Sequence, residues 1–209
     1  DVVLPPNIKV TVADQVYIDR TGLPSAMIAQ LVRVAAFQNP EFYRAQAMRL
    51  PTFGKPRVVS CAELHPRHIA LPRGCFDEAV EVLTEHGAQA ELDDQRSDGT
   101  PLPNTVQFLG ELRPPQQRAF ESLTAHDTGV LAATTAFGKT VVASALIGHR
   151  ARNTLVLVHR RELLDQWVER LKTFLQIDPK QIGTIGGGRR KPTGVIDVAL
   201  IQSLVSRCL

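Results

Sequence analysis

Residues 7–20 (Asn-Ile-Lys-Val-Thr-Val-Ala-Asp-Gln-Val-Tyr-Ile-Asp-Arg) alternate apolar and polar positions, the period of a strand or hairpin with one buried face. The spacing then lengthens. Met27, Ile28, Leu31, Val32 and Ala35 fall on one side of a helix that opens at Ser25 after Pro24 and stops at Asn39-Pro40. A short helix is predicted over Glu41–Met48, and Pro51–Pro56, with Gly54 between its two prolines, reads as a loop. Residues 57–110 carry a second mixed pattern. Strands are predicted at Arg57–Ala62, His68–Pro72, Ala88–Asp93 and Thr105–Leu109, with a helix over Cys75–His86 that ends at Gly87. Residues 93–101 form a polar turn or flexible loop.

From Leu112 onward the pattern changes to continuous apolar runs separated by helical stretches. Helices are predicted at Pro115–Ala125, Thr140–His149 and Arg161–Phe174, and strands at Gly129–Ala133, Thr154–Val158 and Val195–Leu200. Strands that are apolar throughout, joined by helices, are what a parallel sheet covered on both faces requires. The expected fold class is therefore α/β. Its parts are a strand–helix segment over residues 1–56, a small α/β domain over 57–110, and a parallel-sheet lobe over 111–209.

Charge adds an asymmetry to this division. Residues 1–110 hold 10 Lys/Arg against 13 Asp/Glu, a net of −3, whereas residues 111–209 hold 14 against 8, a net of +6. A basic second half suits polyanions, although a basic surface with no partner has the same composition. No apolar run approaches the ~20 residues that span a bilayer. Cys61, Cys75 and Cys208 are odd in number, scattered, and without metal-ligand spacing, which fits a reducing cytoplasm. The opening Asp1-Val-Val-Leu-Pro-Pro has neither an initiator Met nor a signal pattern, so it reads as a boundary within a longer protein.

The strongest chemical signal is Ala133-Thr-Thr-Ala-Phe-Gly-Lys-Thr140, between a predicted strand and a predicted helix. Such a loop aims backbone N–H groups and the positive end of a helix dipole at phosphate oxygens. Thr135, Ala136, Phe137 and Gly138 would supply the wrap and Lys139 a point charge on the β and γ phosphates. Thr140 would offer its hydroxyl to Mg²⁺. Alanine replaces the first glycine of the usual pattern at 133, and alanine also stands at 136, where glycine is common in related loops. The wrap is expected to survive if neither position needs a positive φ. An ordinary strand–turn–helix carrying Gly-Lys-Thr is the plain alternative.

Ala-x-Thr-x-x-Gly-Lys-Thr resembles motif I of superfamily-two helicases and translocases. Three further stretches resemble elements of the XPB-like, UvsW-like and restriction-translocase branches, in the same order. Leu112-Arg-Pro-Pro-Gln-Gln-Arg-Ala119 is similar to their Leu-Arg-Pro-Tyr-Gln element, with Pro115 in the usual aromatic position. That likeness implies Gln116 at the adenine edge, with Arg113 nearby. Asn153–Trp167 resembles motif Ia and implies His159 and Arg160 on a phosphodiester backbone, with Trp167 read as a core residue. Ile185-Gly-Gly-Gly-Arg-Arg-Lys191 followed by Val195–Leu204 resembles the strand leading into a Gln-Ser-Leu element, which implies Gln202 and Ser203 as further nucleic-acid contacts. Arg189, Arg190 and Lys191 beside three glycines can track phosphates, or can equally be a mobile hairpin with scattered charge.

The resemblance implies a RecA-like lobe, ATP and Mg²⁺ as cofactors, DNA as partner, and an ATP-hydrolysing helicase or translocase in DNA repair, recombination or defence against mobile elements. The motor subunit of a restriction system shares all four motifs. A DNA-binding or regulatory module with a dead nucleotide fold is the alternative of another class. No acidic box follows a strand after residue 140, so the RecA-like lobe is expected to be incomplete. The chain by itself is expected to hold nucleotide weakly and hydrolyse almost none. In the same branches a small α/β domain that touches duplex DNA occupies the place of residues 57–110, and Arg67 and Arg73 sit on predicted turns there. The acidity of that half equally suits a structural role, and His65 and His68 read as solvated loop residues.

Overall fold

The computed structural model describes residues 4–205; residues 1–3 and 206–209, with Cys208 among them, lie outside it. The chain divides into two compact units, residues 1–97 and 98–209.

The first unit is built on a five-stranded sheet. Its elements are β1 (Asn7–Val12), β2 (Val16–Asp19), α1 (Ser25–Val34), β3 (Ala36–Gln38), α2 (Pro40–Ala47), β4 (Val58–Ser60), β5 (Glu63–Leu64), β6 (His68–Leu71), α3 (Phe76–Glu85) and β7 (Gln89–Asp94). The sheet order is β5-β6-β2-β1-β7, with β1 and β7 parallel and the other pairs antiparallel. Alternation in β1 sends Ile8, Val10 and Val12 inward and leaves Lys9 exposed. Met27 and Leu31 of α1 and Ala79 and Leu83 of α3 join these residues and Val16, Ile18, Ile69 and Leu71 in one core. Each fully buried Leu or Ile contributes roughly 1.5–3 kcal/mol.

The expected division at residue 56 is corrected by this sheet. β1 and β2 are hydrogen-bonded to strands from both sides of it, so residues 1–56 complete the small domain instead of preceding it. Residues 36–60 leave the sheet, with β3 and β4 paired to each other as a separate two-stranded ribbon carrying α2.

The second unit holds α4 (Pro114–Thr124), α5 (Lys139–Arg150), β8 (Thr154–Val158), α6 (Arg161–Phe174), β9 (Ile182–Gly186), β10 (Arg189–Lys191), β11 (Ile196–Leu200) and the short α7 (Ile201–Val205). Its sheet runs β10-β9-β11-β8. The three longer strands are parallel, and β10 forms an antiparallel edge. This is the predicted parallel-sheet lobe, with Ile196, Val198, Val158 and Ile182 packed on Leu164, Leu171 and Leu175.

Residues 98–110 belong to this unit and not to the small domain. Leu102 donates its amide to the Ala151 carbonyl, Leu109 donates to Phe174, and Gln176 donates to Gln107. The strand predicted at Thr105–Leu109 reduces to one isolated bridge, Phe108 to Leu175.

The strand predicted at Gly129–Ala133 does not form. A strand exists only through its neighbours, and the sheet ends at β8, whose outer edge carries no strand among the described residues. Val130 is accordingly 93% exposed, and Leu155 and Leu157 of β8 are half exposed. Among the described residues, no helix is long and apolar enough to cross a membrane.

Candidate functional site

The loop over residues 133–140 runs directly into α5. Gly138 is the residue before the helix, with φ 92° and ψ 39°, and Lys139 and Thr140 occupy the first turn. Gly138 is required twice over. Its φ is left-handed, and a Cβ there would collide with Nε2 of Gln116. The Gly138 carbonyl accepts from the amides of Val141 (2.9 Å) and Val142 (3.2 Å), which starts the helix and leaves the amides ahead of them at its positive end. Farther along, Ser144 donates its hydroxyl to the Thr140 carbonyl at 2.9 Å.

Ala136 has φ 64°. The condition that neither alanine needs a positive φ is therefore not met at 136, whereas Ala133 is not among the positive-φ residues. Phe137 closes the turn by donating its amide to the Thr134 carbonyl at 3.4 Å.

The Lys139 ammonium curls back over the loop and donates to the carbonyls of Ala133 (2.8 Å) and Thr134 (2.9 Å). It is exposed, and neither bond is to a carboxylate.

Arg113 and Gln116, at the start of α4, reach the same loop. The Arg113 guanidinium donates to the Phe137 carbonyl at 2.6 Å, and Gln116 Nε2 donates to the same oxygen at 2.8 Å. Gln116 is 3% exposed, and its Oε1 accepts from the Arg113 amide at 2.9 Å. The carbonyl of Phe137 as an anchor was not legible in the sequence, because a main-chain atom carries no residue signature.

Four of the remaining candidates, His159, Arg160, Gln202 and Ser203, gather at one end of the parallel sheet. β8 and β11 pair in parallel with Val158 opposite Leu200, so the residues that follow them emerge together. Gln202 donates through Nε2 to the His159 carbonyl at 3.1 Å; Arg160 and Ser203 are adjacent in the chain. Open α/β sheets bind their ligands beyond the carboxyl ends of the strands.

The Gly186–Gly188 turn follows β9 at this same end, and the carbonyl of Gly187 accepts from the Arg161 guanidinium at 3.1 Å. Arg161 was not singled out from the sequence, where it is one cation in a basic run. Arg189, Arg190 and Lys191 are all exposed, but they form β10 and run back along the sheet edge opposite Gly186, Ile185 and Thr184. They constitute an ordered ribbon with only Arg189 near the strand ends.

Asp197 was also missed. It is a buried carboxylate inside an otherwise apolar strand, accepting from the Thr193 amide (2.8 Å), the Thr193 hydroxyl (3.0 Å) and the Gly194 amide (3.0 Å). It fixes the turn between β10 and β11. Trp167 is half-buried against the core of the second unit, as expected. In the first unit, Arg67 and Arg73 are exposed, while His65 and His68 stack with ring centroids 4.5 Å apart. Among the described residues, no group of three or more His, Cys, Asp or Glu could hold a metal ion.

Residues 109–208 match the family model of the type III restriction enzyme res subunit. The chain is 31% identical over 107 residues to the DNA 3'-5' translocase XPB2 of Sulfurisphaera tokodaii, a match covering 51% of this chain and 24% of that protein. It is 35% identical over 110 residues to Rad25, a candidate DNA 3'-5' helicase of Halobacterium salinarum, covering 53% of this chain and 18% of that protein. The chain thus spans about a quarter or less of these curated relatives. Two crystal structures of UvsW from bacteriophage T4 superpose over 96% of this chain with a TM-score of 0.61 and 16% identity, covering 77% and 44% of those chains. At that identity the likeness is one of fold.

Proposed function

We propose that this chain, which carries a superfamily-two segment of the XPB-like and UvsW-like kind, serves an ATP-dependent DNA helicase or translocase. One observation supports the reading best. The 133–140 loop runs into a helix N-terminus through a left-handed Gly138, and Lys139 rests on two main-chain carbonyls of the same loop. A triphosphate offers that ammonium stronger, charge-assisted partners than neutral carbonyl oxygens do. The same site suits the cofactors. A side chain at 138 would collide with Gln116 Nε2, and a helix start offers its free amides to phosphate oxygens. Thr135, Ala136, Phe137 and Gly138 wrap the phosphates, and Lys139 faces the terminal ones. Thr140 gives its hydroxyl to a nucleotide-bound Mg²⁺, which supplies charge neutralisation during phosphoryl transfer. Arg113 and Gln116 brace this nucleotide loop through the Phe137 carbonyl.

His159, Arg160, Gln202 and Ser203, at the carboxyl ends of β8 and β11, take the DNA backbone; Arg189, Arg190 and Lys191 add charge along the edge. Three cysteines scattered along the sequence, Cys61 and Cys75 free, suit a reducing, cytoplasmic setting, with DNA repair as the process.

The test is titration with a non-hydrolysable ATP analogue and Mg²⁺, comparing the chain with Lys139→Ala. Loss of affinity by tenfold or more supports the assignment, and equal affinity overturns it. The family model that matches residues 109–208 favours a second reading, the motor subunit of a restriction system. Co-purification with a site-specific nuclease and methyltransferase separates the two.

A further inference from the structure

Residues 36–60 leave the sheet of the first unit and return to it through the β3–β4 ribbon. The excursion is held by its own contacts. Asn39 donates its amide to the Arg57 carbonyl (2.9 Å) and its Nδ2 to Pro56 (2.8 Å), while its Oδ1 accepts from the Glu41 amide (3.0 Å). Phe42 and Ala45 are buried, and the Arg57 guanidinium lies 5.4 Å from the centre of the Phe42 ring. α2 ends in a paired turn, with Arg49 left-handed at φ 53° and Leu50 donating back to Ala45. A second turn, closed by the Lys55 amide on the Thr52 carbonyl at 3.1 Å, puts Phe53 at its corner and Gly54 at φ 76°.

That ordered tip presents apolar side chains to solvent. Phe53 is 100% exposed, Met48 62% and Leu50 52%. Its charge is opposite to that of its surroundings. Residues 36–60 carry Arg44, Arg49, Lys55 and Arg57 against Glu41, a net of +3, while the rest of residues 1–97 carry 6 Lys/Arg against 11 Asp/Glu, a net of −5. Protein interfaces also combine aromatic side chains with arginine, so charge decides: a tip of net +3 in an acidic unit favours a polyanion, and its fully exposed phenyl ring favours one with stacked rings. Stacked bases between two phosphate backbones answer to both.

We propose that residues 36–60 form a DNA wedge, in which Phe53, backed by Leu50, enters between base steps while Arg49 and Lys55 hold the flanking phosphates. The inference rests on the reading of this chain as part of a DNA motor and assigns the DNA contact of its first unit to one loop.

The experiment uses duplex and forked DNA carrying 2-aminopurine, titrated with the chain and with Phe53→Ala, Phe53→Trp and the double change Arg49→Gln with Lys55→Gln. Because the Phe53 ring touches solvent on every side, its removal leaves folding unchanged, which circular dichroism checks. The chain is expected to bind with a rise in 2-aminopurine emission as the base unstacks. Phe53→Ala should lose roughly tenfold in affinity together with the emission rise, and Phe53→Trp should keep both. The double change should lower the salt dependence by about two phosphate contacts. Equal affinity and emission in Phe53→Ala overturn the wedge. Phe53-dependent capture of acidic peptides with no base unstacking also overturns it and assigns the tip to a protein partner. No DNA binding with intact ATP-analogue binding sinks the wedge and spares the nucleotide site, whereas Phe53-dependent unstacking with Lys139→Ala binding analogue as the unaltered chain does sinks the nucleotide site alone.

Discussion

Gln116 Nε2 donates to the main-chain carbonyl of Phe137 at 2.8 Å, across 21 positions of sequence. The Arg113 guanidinium donates to the same oxygen. A trans peptide is planar, with its C=O and N–H pointing opposite ways, so two donors on the Phe137 carbonyl also fix the direction of the Gly138 N–H. The helix start that carries Gln116 therefore holds one amide of the candidate phosphate loop in its orientation. Gln116→Ala leaves that carbonyl with Arg113 alone and removes the bond to the Arg113 amide. The expected cost is about 1–3 kcal/mol of stability in the second unit, with about tenfold weaker ATP-analogue binding. Denaturant unfolding and analogue titration measure the two. If the analogue binds as tightly as before, the clamp has no part in the loop's function.

Ala136 and Gly138 both have positive φ but differ in what surrounds them. For alanine a left-handed conformation costs roughly 1 kcal/mol, which glycine largely avoids. Ala136→Gly should raise the melting temperature of the second unit by about 2–4 °C. Gly138→Ala should lower it and abolish analogue binding, because its Cβ meets Gln116. A fall in melting temperature with Ala136→Gly would show that position 136 is not strained.

These two positions mark where the sequence stops being legible. β8 and α6 coincide with their predicted ranges, since an uninterrupted apolar run and an amphipathic period are local signals. Alanine at 136 carries no sign of left-handed φ; the loop imposes it. Gly129–Ala133 looks like a strand, but pairing is non-local and none of the described strands lies beside it. The glycines at 186–188 suggest a mobile loop, yet Arg189–Lys191 pair in register with Thr184–Gly186. The order of the candidate nucleic-acid residues was readable, whereas their meeting at one sheet end depends on β8 and β11 being neighbours.

Asp197 offers a prediction independent of ligand. Its carboxylate satisfies three donors in the 193–194 turn, and Asp197→Ala leaves them without that partner. The expected loss is about 1–3 kcal/mol, with a drop of several degrees in the melting temperature of the second unit. Asp197→Asn keeps acceptor capacity at one oxygen and should cost less. Equal melting temperatures for the alanine variant and the parent would contradict the assigned role.

The first unit should weaken in acid through carboxylates on the strands of its sheet. The Arg96 side chain and amide hold the Asp94 carboxyl down to about 2, from 3.8. The Lys9 ammonium, 2.9 Å away, holds Asp93 below its usual value, and the backbone amide of Thr21 does the same for Asp19. A carboxylate with a depressed folded-state pKa stabilises the fold above its unfolded value and ceases to do so as pH falls through the folded one. Stability of this unit should therefore be level above about pH 4 and decline between there and about pH 2. Lys9 is raised by the same pair, so its share is present below 10.5 and is lost as pH climbs through the higher folded value. These groups are largely exposed, and added salt should flatten the acid limb. The sequence supplies its own probes, since Tyr17 and Tyr43 are the two tyrosines and lie in the first unit, while the single tryptophan, Trp167, lies in the second. Urea midpoints followed by tyrosine signal should fall on acidification, and by less in Lys9→Met, which removes the cation beside Asp93. Midpoints that stay constant from neutral pH to about pH 2.5 would mean that these pairs are equally formed in the unfolded chain.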